Sequence, residues 1–343
     1  MALKVTIYDI AREASVGIGT VSRVLNNHPN VTPETRQRVK DVLRRLKYQP
    51  HTYAQRLARR QSETVSAIIP FFTNYFFIEV LQGVQDRISQ LGYDLVLYGV
   101  NDVSQVEAYL ARALQRGKVD GILFFSMKLP EKIIPRLEET GLPVVLVDTT
   151  SPDFDSISVA NAEGAYAATT HLIELGHRKV GLINAKLAST PAIERLQGYR
   201  RALENHGIIF SDTLVRTGNN NKQDGFNREA GYEAMMEFIK TGSEMPRAFF
   251  ISSDIQAMGS IAALAENGLK VPEDVAIVGF DDIELARHIK LTTMRQPMYQ
   301  IGVLALERLV ARMANPDMEV LHTTFSPTLI VRESCGALRR NQN

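Results

Sequence analysis

The side chains able to do chemistry in this chain of 343 residues gather at the ends of apolar runs. Asp148 closes PVVLVD, Ser253-Asp254 closes AFFISSD, Asp281-Asp282 closes VAIVGFDD, and Arg195 stands just before Gly198-Tyr199. Carboxylates and a guanidinium facing one cleft can form paired hydrogen bonds to the vicinal hydroxyls of a sugar. An acid at the end of a strand can instead cap the next helix, and that is the role expected of Asp254 and Asp282. Covalent chemistry has little support. His171 and His177 are six apart and fall on different faces of a helix, and no His/Cys set with metal spacing, phosphate-binding glycine loop or nucleophile elbow occurs. A binding site is expected, with no catalytic residue, metal or cofactor.

Groups of this kind need a scaffold. From Val65 the apolar runs VSAIIP, DLVLYGV, GILFF, PVVLVD, SISVA, KVGLI, RAFFIS and VAIVGF alternate with amphipathic stretches such as Phe77 to Gln90 and Val106 to Gln115. Buried strands alternating with helices imply parallel sheets built by right-handed crossovers. The strands are too many for one comfortable sheet. The expected α/β core therefore has two doubly wound lobes, with a ligand cleft between the C-terminal ends of their strands.

The 45% hydrophobic content supports sizeable cores. One cysteine, Cys335, excludes an intramolecular disulfide framework and a cysteine zinc cluster, as expected of a reducing cytoplasm. No apolar run reaches membrane-spanning length and no signal-peptide pattern opens the chain, so neither export nor a membrane partner is expected. The net charge of +1 conceals an asymmetry: residues 1–62 hold twelve Lys/Arg and four Asp/Glu, +8, which leaves −7 on the remainder. A basic module joined to an acidic one places the polyanion partner at the N-terminal end.

Within the basic module, Thr6 to Asn26 reads as two short helices around a tight turn. Thr6 with Asp9 is a helix-start signal, and Ile7, Ile10, Ala11 and Ala14 share one face. Ser15-Val16-Gly17 interrupts the pattern, after which Val21, Val24 and Leu25 can pack back on the first helix. The second helix then exposes Ile18, Gly19, Ser22, Arg23 and Asn26, groups suited to base edges and phosphates. Taken alone, the pattern also fits a structural helical hairpin. Thr32 and Pro33 open a third helix with Val39, Val42, Leu43 and Leu46 as its buried stripe.

The motif T-I-x-D-I-A-x-x-A followed by T-V-S-R-V-L-N closely resembles the signature of the lactose and galactose repressor family of bacterial transcription regulators, and the resemblance runs through most of the chain. It implies a homodimeric repressor that binds palindromic double-stranded DNA under the control of a small-molecule effector, a sugar, held in a core like a periplasmic sugar-binding protein. The implied division is a helix-turn-helix headpiece over 1–50, a hinge helix over 51–62, a core over 63–335 and a tail over 336–343. Lobe 1 would take about 64–160 and 294–321, and lobe 2 about 161–293 and 322–332. The implied DNA contacts are Thr6, Ile18, Gly19, Thr20, Ser22, Arg23, Asn26 and Tyr48, joined in the hinge by Ala54 and by Leu57, the wedge between base pairs. Without the resemblance, Thr52 to Gln61 reads as an ordinary linker helix, too short to be stable alone. The implied effector contacts are Asp148, Arg195, Ser253 and Asp281, with Asn74, Phe76 and Phe77 from a segment similar to the family's N-x-F-F. Phe125 is a further wall residue. Aromatic residues after a strand also serve as core.

The chain departs from the family in places. Ser15-Val16-Gly17 stands where the family often has Gly-Val-Ser, and Gly is the weaker N-cap. Ile18-Gly19 offers a methyl surface and close backbone approach but no bidentate hydrogen bond, so operator preference cannot be copied from a relative. Residues 218–225 form a longer loop than usual with no assigned contact. After Arg332 no leucine heptad appears, so a dimer is expected, not a tetramer. Two rivals remain: a sugar-processing enzyme, which needs a base and nucleophile in the cleft, and a transport receptor, which needs an export signal.

Overall fold

Val65, Ala67, Ile68 and Ile69 are fully buried in β1 (Thr64–Pro70), because a strand flanked on both sides by parallel neighbours and covered on both faces has no polar side to present. The same logic runs through the core of this computed structural model, which describes residues 5–25, 28–48, 62–71, 73–100, 105–115, 118–187, 189–220 and 222–340. They fall into an N-terminal headpiece and a core that begins at Thr64. The hinge residues 51–61, with Ala54 and Leu57, and Asn26 lie outside the described residues.

The headpiece has three helices, α1 (Ile7–Glu13), α2 (Ile18–Leu25) and α3 (Pro33–Arg45). Ile10, Ala14, Val21, Val24, Val39 and Val42 form its core. At the start of α1 the Asp9 carboxylate accepts from the Thr6 backbone N–H (2.9 Å) and from its hydroxyl (2.7 Å). In the turn, Ser15 has φ 50°, the left-handed region that favours glycine. Gly17 sits at the entry to α2, its carbonyl accepting from Thr20 and Val21. Relative to Gly-Val-Ser, each residue of the swapped pair stands where the other is the better choice.

The first lobe has a six-stranded parallel sheet in the order β11-β5-β4-β3-β1-β2. Its strands are β1, β2 (Asp94–Val100), β3 (Gly121–Phe125), β4 (Val144–Val147), β5 (Asp155–Val159) and β11 (His322–Phe325), flanked by α4 (Tyr75–Leu91), α5 (Val106–Ala113), α6 (Ile134–Thr140) and α12 (Met298–Ala314). The second lobe repeats the plan as β12-β10-β9-β8-β6-β7, parallel except for the edge strand β12. It uses β6 (Val180–Ile183), β7 (Val215–Arg216), β8 (Ala248–Ile251), β9 (Ala276–Asp281), β10 (Thr292–Arg295) and β12 (Thr328–Ile330). Its helices are α7 (Asn161–Glu174), α8 (Thr190–Asn205), α9 (Arg228–Ile239), α10 (Asp254–Glu266), α11 (Glu284–His288) and α13 (Ala337–Arg340).

The chain passes between lobes at 160–161, 296–297 and 326–327. This corrects the expected boundaries: β10 runs to Arg295 in lobe 2, and β11 at 322–325 belongs to lobe 1. Both strands are short and threonine-rich, so a search for apolar runs passes over them. Thr293 in β10 nevertheless is buried, its hydroxyl donating to Asp254 at 2.6 Å. Of the expected tail, Ala337 packs on the lobe 2 core, just after Cys335 in that core and Ser334, whose carbonyl accepts from Ile277 N–H.

Helix pairs pack at backbone contact. A Cβ on Gly259 would lie 1.9 Å from the Arg228 carbonyl, and one on Gly231 2.1 Å from that of Gln256, so α9 and α10 meet where neither carries a side chain.

Candidate functional site

Both sheets reverse strand order next to their first strands, between β1 and β3 and between β6 and β8, and the crevice outside such a reversal is where doubly wound folds take ligands. A cavity of about 60 Å³ lies there. Lobe 1 lines it with Pro70 and Phe71 after β1, Ser126 after β3, Asp148 after β4, and Asn74, Phe76 and Phe77 at the start of α4. Lobe 2 contributes Ser189, Pro191 and Arg195 from α8 and its entry, Asp224 and Phe226, Ser253 after β8, and Asp281 at the end of β9.

Arg195 is the centre of this arrangement. Its Nε donates to Asn161 Oδ1 (2.9 Å) and its Nη1 to the Ser252 carbonyl, while the guanidinium lies 3.8 Å from the centre of the Phe280 ring. Asp281 Oδ1 is 3.9 Å from Nη1 and accepts from Gln296 Nε2 at 2.6 Å. From the other lobe, Asp148 accepts from the Ser126 hydroxyl at 2.7 Å and feels the Arg195 charge. Burial pushes Asp148 up to about 6 against the pull of Ser126 and Arg195, and Asp281 up to about 7 against that of Arg195 and Gln296. Burial also lowers Arg195, opposed by Asp281 and Asp148. Asn161 and Gln296, which hold these groups, stand at two of the three interlobe crossings.

Of the residues expected to contact an effector, Asn74, Phe76, Phe77, Asp148, Arg195, Ser253 and Asp281 meet at the cavity. Phe125 does not: it is fully buried behind Phe77, ring centres 6.2 Å apart and nearly perpendicular, because β3 turns that side chain into the sheet's own core. Asn74 caps α4, accepting from Phe76 N–H, and donates across the cleft to the Phe226 carbonyl at 3.3 Å. Ser253 caps α10. That displaces Asp254 from the capping role expected of it; its carboxylate instead accepts from Thr293 and from Ile283 N–H. Asp282 is no cap either, since Arg295 and Arg332 grip its two oxygens at 2.6 and 2.5 Å. The contributions of Ser126, Ser189, Phe226 and Asp224 were not anticipated. Asp224 comes from the long 218–225 loop, whose length was the one signal pointing to it. Phe71, Ser126, Asp148, Asp224 and Asp281 all have positive φ, half of the ten such non-glycine residues among those described. Such strain concentrates where side chains are aimed at a ligand.

On the headpiece, Thr6, Ile18, Gly19 and Arg23 are exposed, Thr20 and Ser22 are half-buried, and Tyr48 is half-buried against the small core. Arg12, Arg44 and Arg45 are paired with Asp9, Asp41 and Glu13, whereas the Arg23 guanidinium has no ion-pair partner among the described residues. Tyr8, 67% exposed on α1, is a further surface aromatic not singled out from the sequence.

A basic helix-turn-helix unit on a chain with a two-lobed ligand cleft defines a ligand-responsive DNA-binding regulator. Comparison with known proteins agrees. Residues 6–51 match the model of bacterial regulatory proteins of the lacI family, and residues 169–335 match the periplasmic binding protein-like domain. The chain is 33% identical to catabolite control protein A of Priestia megaterium, over 92% of this chain and 94% of that one. It is 34% identical to the ribose operon repressor of Haemophilus influenzae, over 97% and 99%. A crystal structure of the lac repressor dimer bound to operator and an anti-inducer superposes with a TM-score of 0.82 at 26% identity, covering 97% of this chain and 99% of that one. The protein belongs to the lacI family: it is a DNA-binding transcription regulator and not an enzyme. Among the described residues no helix is long and apolar enough to cross a membrane.

Proposed function

We propose that this protein is a cytoplasmic, homodimeric repressor whose affinity for a palindromic operator is set by a sugar bound between its lobes. Each headpiece reads one half-site. Ile18, Gly19, Thr20, Ser22, Arg23 and Asn26 face the major groove, Thr6 and Tyr48 approach the backbone, and Ala54 and Leu57 enter the minor groove. In the cleft, Asp148, Arg195, Ser253 and Asp281 hold hydroxyls, while Asn74, Phe76 and Phe77 form the lobe 1 wall. Dimerisation covers β2, an edge strand exposing Val96 and Leu97, together with neighbouring α4, which exposes Ile78.

One observation carries the regulatory part: the charged groups of a single cavity come from both lobes, Asp148 from lobe 1 and Arg195 with Asp281 from lobe 2. A ligand touching all three has a different affinity for each lobe arrangement, which is the only way it can shift their populations. The test is a gel shift with the operator, with and without effector. Arg195→Ala is expected to keep operator binding and lose the response, and Arg23→Ala to lose operator binding. A full response in Arg195→Ala refutes the cleft assignment, and full operator affinity in Arg23→Ala refutes that of α2.

A further inference from the structure

Resting on that cleft reading, we infer that the effector is an uncharged single-ring polyol, a free monosaccharide, and that the site rejects the same sugar once it is phosphorylated. Charge is the first ground. Asp148, Asp224 and Asp281 line the cavity against one cation, Arg195, and that cation is already engaged by Asn161, the Ser252 carbonyl and Asp281. Glu79 and Glu194 add further negative potential around the same groups, with Lys186 acting on Asp224. A phosphate would bring close to two negative charges against three carboxylates and, among the described residues, a single guanidinium of which only Nη2 is open.

Hydrogen-bond capacity is the second ground. Asp281 Oδ2 and Arg195 Nη2 make no hydrogen bond to any described residue, so the site offers an acceptor beside a donor. Vicinal hydroxyls, each both donor and acceptor, match that pairing. Phe76, Phe77, Phe226 and Pro191 supply apolar walls for the C–H faces of a ring. Size is the third ground. At about 60 Å³ the cavity is small, which suits one hydroxylated ring better than two linked rings.

Binding then has a proton signature. Hydroxyls that donate to Asp281 and Asp148 favour the ionised carboxylates, which burial raises to about 7 and about 6. Affinity therefore falls as the pH drops through these values. From pH 8 to pH 6 the loss is about tenfold from Asp281 and about twofold from Asp148.

The experiment is calorimetry on the full-length dimer at pH 6 and pH 8, with matched probes: the common aldopentoses, aldohexoses and ketohexoses, their phosphate monoesters, disaccharides, and the nucleobases adenine and hypoxanthine. The expected result is one free monosaccharide that binds, binds more tightly at pH 8, and outbinds its own phosphate ester by about 100-fold or more. Asp281→Asn is expected to remove most of the pH dependence. A phosphate ester, disaccharide or nucleobase that binds best overturns the inference, and so does a panel in which nothing binds. If the best binder is of another class but loses affinity in Arg195→Ala, the cleft reading survives; if its affinity is unchanged there, that reading falls as well.

Discussion

Replacing Arg195 with methionine removes the only cation among the described residues that faces two buried carboxylates, and the cost should depend on pH in a defined direction. The guanidinium is almost fully buried, donates to Asn161 and Ser252, stacks on Phe280 and stands 3.9 Å from Asp281. Removing one partner from a buried ionic group costs about 3–5 kcal/mol, because the remaining charge is left uncompensated. In the intact protein both aspartates are already raised above the ordinary carboxylate value of 3.8. Their burial in ionised form weighs against folding above about pH 7, and that cost is relieved as pH falls through 7 and 6 towards 4. Arg195 lowers both groups, so its loss moves the relief to higher pH. At pH 8 the variant should lose the full 3–5 kcal/mol. At pH 5.5 Asp281 and most of Asp148 are neutral, and what remains is chiefly lost hydrogen bonding and packing, about 1–3 kcal/mol. Urea denaturation of the full-length protein at the two pH values measures both quantities. An equal loss at pH 5.5 and pH 8 would show that the aspartates do not titrate against Arg195, and the electrostatic account of the cavity would fail.

Three further outcomes follow from the packing and the surface. Exchanging Ser15→Gly and Gly17→Ser together should stabilise the headpiece by about 1 kcal/mol, by relieving the left-handed Ser15 and adding a side-chain cap to α2; slower amide exchange at Val21 and Val24 in the full-length protein reports it, and unchanged exchange contradicts it. Gly259→Ala should destabilise lobe 2 by about 3 kcal/mol, since a Cβ 1.9 Å from the Arg228 carbonyl forces α9 and α10 apart; a melting temperature within a degree of the parent rules this out. Leu97→Glu should convert the dimer to monomer in light scattering and weaken operator binding with it, whereas a dimer of parental affinity would place the interface elsewhere.

The core was legible wherever burial is two-sided. VSAIIP, GILFF, PVVLVD and VAIVGF are apolar without alternation because their strands are covered on both faces, so composition alone reveals them. β7, β10 and β11 were missed because a two-residue strand has no pattern, and because threonine satisfies buried and exposed faces alike. For the site, strand ends pointed to Asp148, Ser253 and Asp281, since chain geometry forces those residues into the crevice. Asp254 and Asp282 looked equivalent to them in sequence, and only three-dimensional partners separate them: Thr293 and Ile283 claim one, Arg295 and Arg332 the other. Phe226 carried no strand-end signal. Phe125 was misplaced because one residue's step along a strand decides between the crevice and the core.

The bonds that fix the charged cluster run to the crossings between the lobes. Asn161 follows directly on the first crossing and holds Arg195; Gln296 stands at the second and holds Asp281. On the proposed regulation, a ligand that displaces either aspartate or the guanidinium works close to the pivot, with the two lobes as its arms. A shift of a few tenths of an ångström at such a fulcrum grows in proportion to distance along the arm. The cavity can therefore be small and its contacts few, because displacement is gained through leverage and not through the size of what is bound.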